Sequence, residues 1–156
     1  MTDRMSEQFA RIWMKLTKEW KIRLEEELAP GLTEGQLNVL ELLAEHQPMK
    51  PSDLLQYLST TPAAITTLLD RMERNGLIER TRDAGDRRIV WVTLTEKGES
   101  EVSRGVNVRD SIVRESLDRI SVHNQQLLVY LLGKIAGMDT EPSQLIQPAI
   151  KKKAVM

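Results

Sequence analysis

Apolar positions recur along this chain in two periods, and the change between them separates its parts. From Ser6 to Leu28 the residues Phe9, Ile12, Trp13, Leu16, Trp20, Leu24 and Leu28 fall at three- and four-residue steps, so they form one helical stripe. Pro30-Gly31 ends it. Thr33 followed by Gln36 is a capping-box pair, which predicts a second helix with Leu37, Leu40, Leu43 and Ala44 inward and a stop near Gln47-Pro48. A third, short helix opens at Pro51-Ser52-Asp53, because proline suits a first turn and a carboxylate suits the positive helix end. Its apolar contacts are Leu54, Leu55 and Leu58. After the polar break Ser59-Thr60-Thr61, Thr61 can cap a fourth helix that Pro62 begins, running Ala63 to Asn75 and closed by Gly76.

Beyond Gly76 the period shortens. Leu77 to Arg82 is a strand candidate, Asp83 to Asp86 a turn, and Arg87 to Leu94 a second extended run, which together read as a β-hairpin. Thr95 offers a cap for another helix, and Val102, Val106, Val113, Leu117 and Ile120 return to a seam-like helical spacing. Ser121 caps a final helix that carries Leu127, Leu128, Leu131, Leu132 and Ile135 and ends at Gly137. The expected fold is mainly α with a small β-hairpin wing: a winged helix-turn-helix lobe plus a helical dimerisation region drawn from both termini. The corresponding divisions are an N-terminal dimerisation helix over 1–32, the lobe over 33–98, dimerisation helices over 99–138 and a loosely ordered tail over 139–156 that contains Lys151-Lys152-Lys153.

Composition narrows the function. At 156 residues the chain fits one domain, and 4% aromatic content leaves its core to aliphatic side chains. It has no cysteine, which excludes a disulfide, a thiolate zinc site and a cysteine redox switch. The charged start is not a secretory signal, and no apolar run reaches the roughly 18 residues of a membrane span, so a cytoplasmic location is expected. His46 and His123 are far apart with no ligand spacing around them, so no metal or other cofactor is expected. There is no phosphate-binding glycine loop and no nucleophile elbow, so no catalytic residue is assigned. A net charge of −1 gives no general affinity for nucleic acid, and any such case must rest on where the cations lie.

Those best able to reach DNA gather beside one helix. In the fourth helix Ile65, Leu68, Leu69 and Met72 form an inner face, leaving Ala63, Ala64, Thr66, Thr67, Asp70, Arg71 and Arg74 outside. That outer set suits a major groove: alanine and the threonine methyl can touch thymine methyls, threonine hydroxyls can bond base edges, and arginine can bridge guanine O6 and N7. Arg80, Arg82, Arg87 and Arg88 gather around the hairpin turn at Gly85, where an arginine can enter a narrow minor groove. Asp86 and Arg88, two apart, share a face and can pair, so Asp86 is expected to position Arg88.

The stretch Thr61-Pro-Ala-Ala-Ile-Thr-Thr-Leu-Leu-Asp-Arg-Met-Glu-Arg-Asn-Gly-Leu-Ile-Glu-Arg80, followed by Asp86-Arg-Arg-Ile-Val-Trp-Val-Thr-Leu-Thr-Glu-Lys-Gly98, resembles the MarR family of transcriptional regulators. The resemblance extends to about Gly137 and implies a triangular homodimer whose winged lobes straddle a pseudo-palindromic operator in double-stranded DNA. It also implies repression, relieved in many members by a small, often aromatic or phenolic, anion as effector bound between the lobes. By that resemblance Thr66 and Arg71 are reading-helix positions, Arg88 is the wing arginine and Asp86 its partner. Thr61, Ala63, Thr67, Arg74, Arg82 and Arg87 complete the expected DNA-facing set. Trp13, Trp20, His46, Met49 and Tyr57 lie on segments that approach the lobe junction in that architecture and are the candidate effector contacts. The alternative is a protein-interaction module on the same scaffold, since a fold does not fix a function.

Overall fold

A computed structural model describes residues 2–138. Its elements are α1 (Thr2–Leu28), α2 (Glu34–His46), α3 (Pro51–Tyr57), α4 (Pro62–Arg74), β1 (Ile78–Arg82), β2 (Val90–Leu94), α5 (Glu96–Leu117) and α6 (Val122–Ile135). Helices dominate, and the hairpin follows the third and fourth of them, as the periodicity predicts. The chain divides into two compact units, the first ending at Ile112 and the second beginning at Val113, so the division falls inside α5. The expected tail over 139–156, with its three lysines, lies outside the described residues.

In the first unit the core is assembled from the predicted inner faces, except that Ala44, expected inward on α2, is exposed near the end of that helix. Leu37, Leu40 and Leu43 of α2, Leu54 of α3, and Ile65, Leu69 and Met72 of α4 are almost fully buried with Leu77, Ile78 and Val92 of the hairpin. Each such side chain contributes about 1.5–3 kcal/mol relative to leaving it in water. Leu24 and Leu28 of α1 join this core, whereas Phe9, Ile12 and Trp13 on the earlier turns of the same stripe are exposed.

The helix ends obey the local signals. Thr33 Oγ1 accepts from the Gln36 amide at 3.2 Å while Gln36 Oε1 accepts from the Thr33 amide at 3.1 Å, which satisfies a glutamine that is 6% exposed. Asp53 accepts from the Lys50 amide at 2.9 Å before α3, and Thr61 accepts from the Ala64 amide at 3.2 Å before α4. Gly76 closes α4 at φ +71, a conformation that side chains resist. Thr95 accepts from the Gly98 amide at 3.0 Å and donates to the Gly76 carbonyl at 2.6 Å, so one hydroxyl joins the end of α4 to the start of α5. Arg104 of α5 donates to the Leu28 carbonyl at 3.2 Å, bringing a cation to the negative end of α1.

The antiparallel hairpin pairs Ile78 with Leu94 and Arg82 with Val90 at its two ends. Two details depart from the sequence reading. The second strand begins at Val90 rather than Arg87, because Asp86 to Ile89 form a turn closed by the Ile89 amide on the Asp86 carbonyl at 2.9 Å. Met49, between α2 and α3, also pairs with Val92 through amide–carbonyl bonds of 3.1 and 2.8 Å. Gln47 adds a side-chain acceptor for the Leu94 amide at 2.8 Å. The linker thus supplies a one-residue third rung, too short for any period to reveal.

The second unit contains the last turn of α5 and the whole of α6. Gln125 Nε2 donates to the carbonyls of Leu117 and Ile120 at 2.9 and 3.2 Å, satisfying the end of α5, and Ser121 caps α6 through the Asn124 amide at 3.3 Å. Leu127, Leu128, Leu131 and Ile135 are exposed. Among the described residues no helix is long and apolar enough to cross a membrane.

Candidate nucleic-acid interface

Helix α4 presents the two faces its sequence requires. With Ile65, Leu69 and Met72 buried, Ala63, Ala64, Thr66, Thr67, Arg71 and Arg74 are exposed. Thr66 donates its hydroxyl to the Pro62 carbonyl at 3.0 Å and Thr67 to the Ala63 carbonyl at 3.1 Å. Those hydroxyl protons are already committed, so each oxygen is left as an acceptor on an exposed side chain that also carries a methyl. Such a group suits an adenine or cytosine amino donor and a thymine methyl. Thr61 is exposed too, with its hydroxyl committed to the cap of α4. Among the described residues no carboxylate pairs with Arg71, Arg74 or Arg87, which leaves three exposed guanidinium groups free to meet anions.

The wing tip is more ordered than its composition suggests. Arg88 donates through Nε to Asp86 Oδ1 at 3.1 Å and through Nη2 to Oδ2 at 3.2 Å, while its backbone amide reaches Oδ1 at 3.0 Å. The Arg88 side chain is nevertheless 92% exposed. It is a cation held in solvent by a carboxylate at its base, and Arg88 keeps the Asp86 carboxyl below the usual aspartate range. The expected pairing is present, made across a turn rather than along a strand. Arg82 turns back to the Arg87 carbonyl at 3.1 Å, so its Nη1 helps close the loop.

Two contributors were not singled out in the sequence. Asp83 accepts from the Trp91 indole at 3.0 Å and from the amides of Asp86 and Gly85 at 3.0 and 2.9 Å. These bonds, the indole first, hold its carboxyl below the usual range and fix the loop from which Arg87 and Arg88 project. An aspartate two residues before a turn glycine is a recognisable Asx-turn signal, but the indole partner eight residues away is not local. Lys50 lies 5.6 Å from the Trp91 ring centroid, a cation–π contact on the same indole. Arg80, grouped in the sequence with the tip arginines, is withdrawn from them: it donates to Asp70 Oδ1 at 2.6 Å and to Glu73 Oε2 at 2.6 and 3.1 Å.

The candidate effector contacts are only partly brought together. His46 and Tyr57 stack with centroids 5.4 Å apart, and Tyr57 lines an open cleft of about 430 Å³ with Asn38, Glu41, Leu42, Glu45 and Leu58. Arg109 binds Glu41 through two bonds of 2.7 and 2.8 Å. Trp13 stacks on Phe9 at 6.1 Å along α1, Trp20 packs half-buried on the core, and Met49 is 3% exposed within it.

In sequence and fold the chain is similar to known transcriptional regulators. Residues 32–90 match the MarR family profile, a span from Leu32 to the first residue of β2. The chain is 31% identical to the transcriptional regulator HosA of Escherichia coli O157:H7 over 128 residues, covering 82% of this chain and 91% of HosA. It is 29% identical over 115 residues to the transcriptional repressor MdtR of Bacillus subtilis, covering 73% and 74% of the two chains. A solved mutant of MarR from Escherichia coli, complexed with operator DNA, superposes with a TM-score of 0.67 at 26% identity, over 82% of this chain and 93% of that one.

Proposed function

Because this chain belongs to the MarR family of transcriptional regulators, we propose that it binds a pseudo-palindromic operator in double-stranded DNA as a homodimer and represses transcription there. The observation that carries the reading is the pairing of an exposed, small-residue face on α4 with a wing arginine that is 92% exposed yet held at its base by Asp86. In this reading α4 enters the major groove, with Thr66, Thr67 and Arg71 at base edges and Ala63 allowing close approach. Thr61 and Arg74 face the phosphates at its two ends. The loop held by Asp83 offers Arg87 and Arg88 to the neighbouring minor groove, and Arg82 keeps that loop closed. Residues 33–98 act as the reading lobe, while 1–32 and 99–138 supply the dimerisation surfaces. One lobe makes few phosphate contacts, and two lobes with reading helices about 34 Å apart raise affinity and impose a two-fold operator. Repression follows from occlusion of the bound site, and the relative MdtR is itself a repressor. A cytoplasmic protein meets that DNA.

The same reading includes release by a small aromatic effector in the cleft beside Tyr57 and His46. Glu41 and Glu45 line this cleft and Arg109 is spent on Glu41, so a neutral phenol fits it better than the anion that the resemblance implies.

The test is selection of duplexes from a random-sequence pool, followed by binding at two salt concentrations with the mass of the complex determined alongside. A two-fold motif bound by a dimer, with log K falling by about 0.9 per neutralised phosphate against log salt, supports the reading. Selection of no motif refutes it and favours a protein-interaction module. Thermal shift with neutral phenols and aromatic acids then tests the effector: a phenol that raises Tm and releases DNA is expected, and no shift with any compound removes effector release from the proposal.

A further inference from the structure

Asp70 and Glu73 are unexpected on a helix proposed to meet DNA. Thr66, Asp70 and Glu73 follow one another at steps of four and three, so the two carboxylates continue the row that begins at a groove-facing threonine. A duplex carries one negative charge per roughly 1.7 Å of its axis. Two uncompensated carboxylates on this face would repel it.

Arg80 is placed to prevent that. From β1 its Nη2 reaches Asp70 Oδ1 and Glu73 Oε2, both at 2.6 Å, and its Nε reaches Glu73 Oε2 at 3.1 Å. The Arg80 side chain is 26% exposed, against 92% for Arg88, and its Nε and Nη2 donors are spent within the protein. The arginine draws the Glu73 carboxyl below its usual range, so that carboxylate and the guanidinium remain charged together at neutral pH. The bridge joins the wing to the reading helix, the two parts that must present one continuous surface.

We infer that Arg80 is a positioning residue for DNA binding, which masks Asp70 and Glu73 from the phosphates while making no DNA contact of its own. The inference rests on the DNA-binding reading above, and it separates Arg80 from the arginines that touch the duplex. Exposed ion pairs contribute little to stability, so the variants below are expected to fold, with circular dichroism as the check.

The experiment measures affinity at two salt concentrations for a duplex that the wild-type protein has selected from a random pool. Arg80→Ala is expected to weaken binding about tenfold or more, because it uncovers two like charges beside the backbone. Combining Arg80→Ala with Asp70→Asn and Glu73→Gln is expected to return affinity to within about threefold of wild type with an unchanged salt slope, since no phosphate contact is removed. Asp70→Asn with Glu73→Gln alone, which keeps Arg80, is expected to bind at least as tightly as wild type. This variant tests the mask even if Arg80→Ala fails to fold. A triple variant as weak as Arg80→Ala, with its salt slope reduced by about 0.9, overturns the inference by making Arg80 a phosphate ligand. Weaker binding by the double carboxylate variant also overturns it. Undiminished binding by Arg80→Ala overturns this inference alone, whereas a wild-type protein that selects no duplex overturns the DNA reading with it.

Discussion

Arg88 depends on Asp86 for its direction. A long cation at a loop tip samples many rotamers, and each must be lost when it enters a groove. The two side-chain bonds to Asp86 restrict that freedom in advance. Arg88→Ala is expected to weaken operator binding about tenfold or more by removing a charge from the groove, and Asp86→Ala to weaken it by a smaller factor, with circular dichroism and Tm unchanged in both. An Asp86→Ala protein that bound as tightly as wild type would show that Arg88 needs no guide. Gly98 illustrates a different constraint. A Cβ there would lie 2.1 Å from the Leu77 carbonyl oxygen, which already accepts from the Thr95 amide, so backbone must move to admit it. Gly98→Ala is therefore expected to cost about 2 kcal/mol or more in chemical denaturation. Gly35→Ala, whose nearest neighbour would be Thr33 Oγ1 at 4.0 Å, should be neutral or stabilising. The Asp86–Arg88 pair could be read from spacing because its partners are two residues apart. The Arg80 bridge could not, since it joins a strand to a helix ten and seven residues earlier.

At the scale of the element, the proposed function divides the work of recognition between α4 and the wing. The helix ends were legible because Thr61, Pro62 and Gly76 act within one turn. The third rung at Met49 was not, because one extended residue between helices has no period. Arg71, exposed and without a carboxylate partner among the described residues, is the strongest candidate for a base contact on α4. Arg71→Ala should reduce discrimination between the selected operator and base-substituted duplexes by about 1–3 kcal/mol. Equal weakening on every sequence would make it a phosphate contact instead. The wing loop adds a pH signature. Hydrogen bonds from the Trp91 indole and two amides depress the Asp83 carboxyl, so its contribution to loop order is present above the ordinary aspartate value and is lost as pH falls through the depressed one. The Trp91 indole proton resonance should accordingly stay fixed between about pH 5 and 8 and move only in stronger acid, below the ordinary value of about 3.9. Movement near neutral pH would mean that another group controls the loop.

For the whole molecule the open question is what covers its terminal apolar faces. The sequence marked stripes on the first and last helices, yet helical periodicity states only that a face is covered, and not by what. In the first unit Phe9, Ile12 and Trp13 are 47, 58 and 41% exposed, and in the second Leu127, Leu131 and Ile135 are 47, 48 and 70% exposed. Contiguous apolar surface of this kind is uncommon on a soluble monomer and marks an interaction site. Under the proposed DNA-binding function a second copy of the chain is the partner that serves both needs, because joining two lobes makes the second half-site contact intramolecular. Such linkage raises affinity by about 10²–10⁴ without any new contact to DNA. Leu131→Glu combined with Ile135→Glu would place charges on the α6 face, where burial against a partner is costly. Sedimentation should then show a monomer, and affinity for a full operator should fall by a factor in that range toward the affinity for a single half-site. Half-site binding itself should be unchanged, since α4 and the wing are untouched. A variant that remained dimeric would remove α6 from the interface. A monomer that held the full operator as tightly as wild type would show that one lobe suffices and that the two-fold operator is wrong.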